Sequence, residues 1–339
     1  MPAQDIEYVE LYASDKQGAV DYFVLSLGFT KMAESIAFGK DSTLLRQGGV
    51  QLIVSGGPAT EEFVYTHGDG IADIAFGCDD VAATCDAAVA AGGVVLNRTR
   101  DRPAVSGFGE VRHTLLPRTT SPGTRLPPGY RWVTVRGMPV RPTGRVIGLD
   151  HIAVCFEAGR MPEHIDFYRA AFELDWHSSE FIEITDLAMS LVVVRSRCGG
   201  ITLTMQEPDI SKNPGPLNSF LDRNNGAGVQ HLAFRVDAVV PAADECRRRG
   251  MKTLDFPDAD YETLSVRCPE LRTQIAELRS AGVLADRDDS GYLLQLFARS
   301  PYERNTLFYE LVQRCGTWGF GSANIEALYE ALDGRRLVS

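Results

Sequence analysis

Two stretches of the sequence decide the fold: GDGIADIAFGCDDVAA at residues 68–83 and GAGVQHLAFRVDAVVP at residues 226–241. Ten of their aligned positions agree or nearly agree in residue class. A second pair, IEYVELYASD at residues 6–15 and LDHIAVCFEA at residues 149–158, shares the same alternation of apolar residues. Self-similarity of this kind indicates a duplicated structural unit, so the two halves of the chain are predicted to be copies of one fold.

Each copy has the pattern of a strand, a helix and then several strands with alternating apolar residues, as in ITLTM at residues 201–205. Strands outnumber helices. This favours an α+β fold class of two tandem domains, built from repeated βαβββ units that form open, curved, mostly antiparallel barrels. The chain closes with SANIEALYEALDG, in which Ser322 is a predicted N-cap and Ile325, Leu328 and Tyr329 fall on one helical face. We therefore expect a C-terminal helix that packs onto the second domain.

A stretch rich in proline and glycine divides the chain. Six prolines and four glycines lie between Pro117 and Val146, which is typical of a connector, although WVTV at residues 132–135 has the pattern of a short strand. At 339 residues the chain also exceeds the usual size of one domain. Three segments are predicted: an N-terminal domain over residues 1–120, a connector over residues 121–147, and a C-terminal domain over residues 148–339.

Composition and charge exclude several classes of partner. The formal net charge of −11 argues against nucleic acid and anionic membranes, because surfaces that bind them need clustered Lys and Arg. No apolar stretch approaches the roughly 20 residues that span a bilayer, and the N-terminus lacks a signal pattern, so a cytoplasmic protein is predicted. The seven cysteines form no CxxC pair, which favours reduced, packed thiols. A homodimer is compatible with the sequence, which fixes no oligomeric state.

Three polar residues interrupt stretches that otherwise have the pattern of buried strands. His151 lies in LDHIAV, His231 in VQHLAF and Glu310 in TLFYELV. Alternation puts each of them on the face that carries core residues, where a polar group needs a partner, and a metal would supply one. Two imidazoles and one carboxylate on one face leave coordination positions open, which is typical of non-haem Fe(II) oxygenases.

The repeat supplies an internal comparison for this metal-site hypothesis. Aligning the halves gives each ligand a counterpart: Tyr8 for His151, Asp73 for His231, and His113 for Glu310. The C-terminal domain therefore holds a complete ligand set and is the predicted catalytic, metal-binding domain. The N-terminal domain is predicted to have no metal site, as expected if one site was lost after duplication. Three ligands alone do not separate a zinc hydrolase from an iron oxygenase, and two core histidines with a strand-end glutamate are the alternative.

These residues, together with GAGVQHLAF, LADRDDSGYLLQLF, RNTLFYELVQR and GFGSANIEALYEAL, resemble the 4-hydroxyphenylpyruvate dioxygenase and 4-hydroxymandelate synthase family of the vicinal oxygen chelate superfamily. The resemblance runs over nearly the whole chain. It implies that His151, His231 and Glu310 bind Fe(II), and that the substrates are a small-molecule 2-oxo acid and O2. It also implies an oxidative decarboxylation, after which dioxygenases form homogentisate by ring hydroxylation and synthases form 4-hydroxymandelate by benzylic hydroxylation.

Two positions favour the synthase within this family. The GFGSANI motif ends in Ile325, where the dioxygenases carry Phe, and ITLTMQE holds Thr204, where they typically carry Pro. Replacing a flat ring with a branched aliphatic side chain frees space, so that the bound aryl group can turn its benzylic carbon toward the oxidant. The sequence therefore predicts conversion of 4-hydroxyphenylpyruvate to 4-hydroxymandelate, with neutral drift at both positions as the alternative.

Further pocket positions bear on the substrate. Gln230, Gln295 and Phe297 match family pocket residues and are assigned to substrate binding, although polar packing is an equal alternative for Gln230. Three other positions depart from the family pattern: Leu191, Gln206 and Pro216. Of these, Gln206 is also assigned to substrate binding. Fewer hydroxyl and amide partners would suit a less polar substrate such as phenylpyruvate. An extradiol dioxygenase acting on catechols and a non-catalytic ligand-binding protein are the competing hypotheses.

Overall fold

The computed structural model describes residues 3–99, 102–118, 125–135, 144–184 and 186–332. Two mixed sheets form its framework, one in each half of the chain. The nine strands of the first sheet are β1 (Ala3–Tyr12), β2 (Thr30–Ala37), β3 (Lys40–Gln47), β4 (Val50–Gly56), β5 (Gly70–Cys78), β6 (Val95–Asn97), β7 (Ala104–Ser106), β8 (Arg112–Pro117) and β9 (Val133–Thr134). The eight strands of the second are β10 (Val146–Cys155), β11 (Asp175–Ile184), β12 (Leu187–Arg195), β13 (Thr202–Pro208), β14 (Gly228–Val236), β15 (Leu284–Asp288), β16 (Gly291–Phe297) and β17 (Phe308–Cys315).

Each sheet contains two βαβββ units with the same pairing rule. The first strand of a unit runs parallel to its last strand, as in β1 with β4, β5 with β8, β10 with β13 and β14 with β17. The first strands of the two units pair antiparallel at the centre of the sheet, β1 with β5 and β10 with β14. The remaining neighbours are antiparallel as well. The predicted α+β class with repeated units is therefore confirmed.

The helices lie mainly in the connections of these units. They are α1 (Lys16–Asp21), α2 (Glu61–His67), α3 (Val81–Ala90), α4 (Met161–Phe172), α5 (Pro216–Asn224), α6 (Val239–Arg248), α7 (Asp258–Glu262), α8 (Leu264–Arg267), α9 (Ile275–Ala281) and α10 (Ser322–Leu332). Asp15 and Asp80 cap α1 and α3 by accepting from the backbone N–H three residues on. Ser322, predicted as the cap of α10, is its first residue, and its hydroxyl donates to Glu180. None of the helices in the described ranges is both long and apolar enough to cross a bilayer.

Aromatic side chains join the two sheets. Phe29 contacts Phe234 edge to face at a centroid distance of 5.7 Å, and Phe23 contacts Tyr309 in the same way at 5.1 Å. All four rings are buried. Phe234 follows Ala233, and Tyr309 precedes Glu310; both of these neighbours face the interior of the second barrel. Because successive side chains of a strand point to opposite faces, the aromatic contacts lie on the outer face of the second sheet. Its inner face is left for the site.

The inner face of the first sheet is filled by the connector. Tyr130 and Trp132 stack on each other at 4.5 Å and pack against a buried apolar cluster that includes Tyr8, Leu44 and Ile53. The strand predicted at WVTV is confirmed as β9, which pairs with β2. The strand β9 of the connector therefore belongs to the first sheet. The division of the chain at residues 120 and 148 stays a prediction.

Candidate metal centre

Three neighbouring strands bring the predicted ligands together. β10 and β14 pair antiparallel, with Ala153 opposite His231 and His151 opposite Ala233, so both imidazoles project from the same face. β17 runs parallel to β14 and sets Glu310 opposite Ala233. All three side chains are buried, as the alternation of core-facing residues predicted.

The ligand atoms lie within coordinating distance of a common point. His151 Nε2 is 3.3 Å from His231 Nε2. Glu310 Oε2 is 3.7 Å from His151 Nε2 and 3.4 Å from His231 Nε2. In the part of the chain that the structure describes, this is the one group of three such side chains that converges in this way.

Hydrogen bonds to Nδ1 of each histidine ring indicate which ring nitrogen carries the proton. His151 Nδ1 lies 2.9 Å from Asp150 Oδ1, and His231 Nδ1 lies 3.2 Å from Gln230 Oε1. Because both oxygens accept, each Nδ1 donates, and a ring with this one proton presents an unprotonated Nε2. Burial lowers the pKa of His231, although Glu310 raises it, and so favours the neutral ring. Two imidazole lone pairs and a carboxylate that face each other in a buried site fit a divalent cation.

A chain of amides holds the carboxylate in this geometry. Gln295 Nε2 donates to Glu310 Oε1 at 2.7 Å, and Asn324 Nδ2 donates to Gln295 Oε1 at 2.7 Å. Glu310 Oε2 is thereby left to face the histidines. Substrate binding by Gln295 stays a prediction; in this structure its amide lines the pocket and contacts Glu310 and Asn324, so it orients the carboxylate.

An ion pair lies behind His151. Asp150 accepts from Arg314 through both of its oxygens, each at 2.8 Å. Burial would raise the pKa of Asp150, but the hydrogen bonds from His151 and Arg314 hold it below its ordinary value. Asp150 is therefore an anion that accepts from the His151 ring on one side and from Arg314 on the other.

The ligands open into a pocket under α10. Its lining contains the remaining residues predicted for substrate binding: Thr204, Gln206, Gln230, Gln295, Phe297 and Ile325. Leu191 also lines it, whereas Pro216 lines a separate cavity nearby. Phe320, Leu328 and Tyr329 complete the wall, and their place there was not predicted. The signal available for Tyr329 was a phenol on the apolar face of the terminal helix.

Two polar side chains of the pocket differ in how they are satisfied. The Tyr329 hydroxyl donates to Gln206 Oε1 at 2.6 Å, so this hydroxyl proton is already engaged. The Thr204 hydroxyl is buried and has no hydrogen-bond partner among the described residues. Since an unpaired buried hydroxyl costs free energy, Thr204 marks the point of the pocket wall that a polar group of a ligand could satisfy.

The first domain carries a hydrogen-bonded and ion-paired cluster at the equivalent place. Tyr8 and Thr114 both donate to Asp73 Oδ2, at 3.3 and 2.6 Å, and Arg112 Nε donates to the same oxygen at 3.0 Å. Arg112 also pairs with the buried Glu10 at 3.1 Å. A guanidinium therefore supplies the positive charge that a metal would supply in the second domain.

The alignment of His113 with Glu310 is wrong by one residue. In the second sheet Phe234 pairs with Leu311, and in the first sheet its counterpart Phe76 pairs with Leu115, which makes Thr114 the counterpart of Glu310. His113 instead faces away from the barrel interior. Its Nδ1 donates to Ile74 O at 3.0 Å, and its Nε2 accepts from the Tyr168 hydroxyl of α4.

Comparisons with known proteins agree with this architecture. Residues 1–120 match the family model described as hydroxyphenylpyruvate dioxygenase, N-terminal, and residues 148–296 match that of the glyoxalase, bleomycin resistance protein and dioxygenase superfamily. A solved structure of a triple mutant of 4-hydroxymandelate synthase from Streptomyces coelicolor is 44% identical, covers 99% of this chain and 100% of its own, and has a TM-score of 0.90. The chain belongs to the 4-hydroxyphenylpyruvate dioxygenase and 4-hydroxymandelate synthase family.

Curated members of this family are more distant in sequence. The 4-hydroxyphenylpyruvate dioxygenase of Aspergillus fumigatus is 27% identical over 96% of this chain and 91% of its own length. That of Danio rerio is 29% identical over 80% of this chain and 73% of its own length. The predicted family and the prediction of a dioxygenase are confirmed.

Proposed function

We propose that this protein is an Fe(II)-dependent oxygenase that converts an aryl 2-oxo acid and O2 to an aryl 2-hydroxy acid and CO2, with 4-hydroxyphenylpyruvate as substrate and 4-hydroxymandelate as product. The observation that carries the proposal is the convergence of His151 Nε2, His231 Nε2 and Glu310 Oε2 at mutual distances of 3.3 to 3.7 Å. The similarity to dioxygenases and to a synthase of one family supports the same chemistry.

The three ligands would hold the iron from one side. When bound, Fe(II) would supply open coordination positions and the redox chemistry that O2 activation requires. Asp150 and Gln295 keep the ligand atoms oriented through their hydrogen bonds to His151 and Glu310. The protein contributes position, since a 2-oxo acid held at the open side meets O2 in a fixed orientation.

The cover formed by α10 would exclude water from the reaction. Ile325, Leu328 and Tyr329 of this helix are buried and line the pocket, and Phe297 and Phe320 add apolar walls. A dry pocket protects a reactive oxidant from side reactions with solvent. The predicted helix thus has a function in catalysis under this proposal.

Two residues support the benzylic product over homogentisate. Ile325 lines the pocket where the dioxygenases carry Phe, and its narrower side chain leaves room for the aryl group to turn. Thr204 stands where the dioxygenases typically carry Pro, as in the synthases. Its unpaired hydroxyl would also satisfy the phenol of the substrate, either directly or through water.

A second substrate, phenylpyruvate, is favoured by one specific feature. Leu191 places an apolar side chain in the pocket wall, and the amide oxygen of Gln206 is already engaged with Tyr329. An apolar wall accepts a ring without a hydroxyl, whereas the unpaired Thr204 hydroxyl favours the phenol.

An oxygen electrode with product chromatography tests the proposal. The Fe(II)-loaded protein should consume O2 with 4-hydroxyphenylpyruvate, release CO2 and form 4-hydroxymandelate, and the Glu310→Ala variant should lose turnover together with iron. Homogentisate as the sole product would refute the synthase assignment. O2 uptake with a catechol in the absence of a 2-oxo acid would support an extradiol dioxygenase, and ligand binding without O2 uptake would support a binding protein.

A further inference from the structure

Arg314 occupies a bridging position behind the candidate metal centre. It lies near the end of β17, four residues beyond Glu310, and its Nε and Nη2 donate to the two oxygens of Asp150. Asp150 in turn accepts from His151 Nδ1. The side chains of Asp150 and Arg314 are only 5% and 18% exposed, so solvent screens this ion pair little.

The same guanidinium also contacts the segment that leads into α10. Arg314 Nη1 donates to Gly319 O at 2.6 Å, and the guanidinium lies 4.8 Å from the centroid of the Phe320 ring. Phe320 contacts the His151 ring edge to face at 5.2 Å and lines the pocket. One side chain therefore touches both the residue that orients a ligand and the residues that carry the cover.

We propose that Asp150 and Arg314 are positioning residues that tie the orientation of His151 to the position of the segment 317–320. The inference rests on the proposed metal-dependent function. Asp150 fixes the ring with its proton on Nδ1, so that the Nε2 lone pair points at the ion. Arg314 holds the Asp150 carboxylate in place through two hydrogen bonds, from a position set by the Gly319 carbonyl and the Phe320 ring.

The first domain provides an internal comparison. The counterpart of Glu310 is Thr114, so the counterpart of Arg314 is Arg118. The Arg118 side chain is 41% exposed and pairs with Asp5 and Asp79 at the surface. In the described residues, the buried chain of arginine, aspartate and histidine thus accompanies the converged ligand set and does not occur at its counterpart.

Binding of Co(II) to the metal-free protein tests this inference without turnover. We would compare wild type with Arg314→Gln, Arg314→Lys and Asp150→Asn, and use Arg160→Gln as the matched control, because Arg160 forms an exposed ion pair with Glu163 in the same domain. The readouts are the Co(II) dissociation constant, the visible Co(II) spectrum and the thermal midpoint of the metal-free protein.

The expected pattern is specific. Arg314→Gln and Asp150→Asn should weaken Co(II) binding by about 10- to 100-fold and change the visible spectrum, as loss of a group that orients a ligand does elsewhere. Arg314→Lys should restore part of the affinity, since a lysine can donate one hydrogen bond to Asp150. Arg160→Gln should bind Co(II) as wild type does.

The outcomes that would overturn the inference are distinct from those that would overturn the proposed function. Wild-type affinity and an unchanged spectrum in Arg314→Gln, or in Arg314→Lys and Asp150→Asn if the glutamine variant does not fold, would remove the positioning role. A fall in the thermal midpoint with unchanged Co(II) affinity would show a structural role only. Failure of the wild-type protein to bind any divalent ion would instead refute the proposed function.

Discussion

Replacement of His113 by glutamine should change how the free energy of unfolding depends on pH. The imidazole is fully buried between the domains, where it accepts from Tyr168 and donates to Ile74 O. Burial lowers its pKa to about 4, against an ordinary value of 6.5, and the hydrogen bond to Ile74 only partly opposes this. The folded protein therefore resists protonation of a group that the unfolded chain protonates readily.

The sign and size of the effect follow from linkage. Below pH 6.5 the unfolded chain binds a proton at His113 that the folded protein does not bind until the pH approaches 4, so stability falls as the pH falls through this window. Between about pH 7.5 and about pH 5.5 the loss from this residue is roughly 1.3 kcal/mol. Over the full window it is about 3 kcal/mol.

Urea denaturation at the two pH values measures this loss. His113→Gln is expected to be less stable than wild type near pH 7.5, with a deficit that shrinks by about 1.3 kcal/mol near pH 5.5, because the variant has no imidazole to protonate. Tyr168→Phe serves as a second arm that removes the donor to Nε2 and keeps the ring. A stability difference between wild type and His113→Gln that is equal at both pH values would refute the reasoning.

Three further predictions concern the pocket. Gly321 has φ +80°, and a Cβ at this position would lie 2.4 Å from Gln295 Oε1. Gly321→Ala should therefore lower the free energy of unfolding by about 1–2 kcal/mol in calorimetry, and it should weaken metal binding by displacing Gln295 from Glu310. An unchanged melting temperature would contradict this prediction. Tyr329→Phe leaves Gln206 Oε1 without its donor and should lower kcat/KM roughly tenfold or more in steady-state assays, whereas an unchanged value would show that the pair is dispensable. Leu191→Ser should shift the ratio of kcat/KM for 4-hydroxyphenylpyruvate over phenylpyruvate upward by roughly tenfold, and a constant ratio would exclude this residue from selectivity.

Internal repetition is the reason that the fold could be predicted from one sequence. The strands around His151 and His231 occupy corresponding places in the second sheet, and those around Tyr8 and Asp73 do so in the first. Alternation then placed the three ligands on an inner face without reference to loops, because a buried strand face tolerates a polar residue only with a partner.

The error at His113 has a physical cause. β8 is short, and apolar residues lie on both of its faces, so periodicity alone did not fix its register. A slip of one residue exchanges the two faces of a strand, and it therefore replaced Thr114, which faces the barrel interior, with a histidine that faces α4.

Two features of the structure could not be predicted from the sequence. The insertion of α7, α8 and α9 into the fourth unit follows no repeat, and it has no counterpart in the other units of the described chain. The hydrogen bonds of Gln295 could not be predicted either, since only the structure places its amide between Glu310 and Asn324. Polar side chains are assigned by their neighbours in space, which spacing along the chain does not reveal.

The stacked pair Tyr130 and Trp132 has a consequence for dissecting the chain. Since the segment that links the halves also fills the first barrel, cutting before it would strip the cover from the apolar surface around Leu44 and Ile53. An N-terminal fragment that ends at residue 120 should therefore aggregate more readily than one extended through Val135. The connector between the two domains is thus also a structural part of the N-terminal domain.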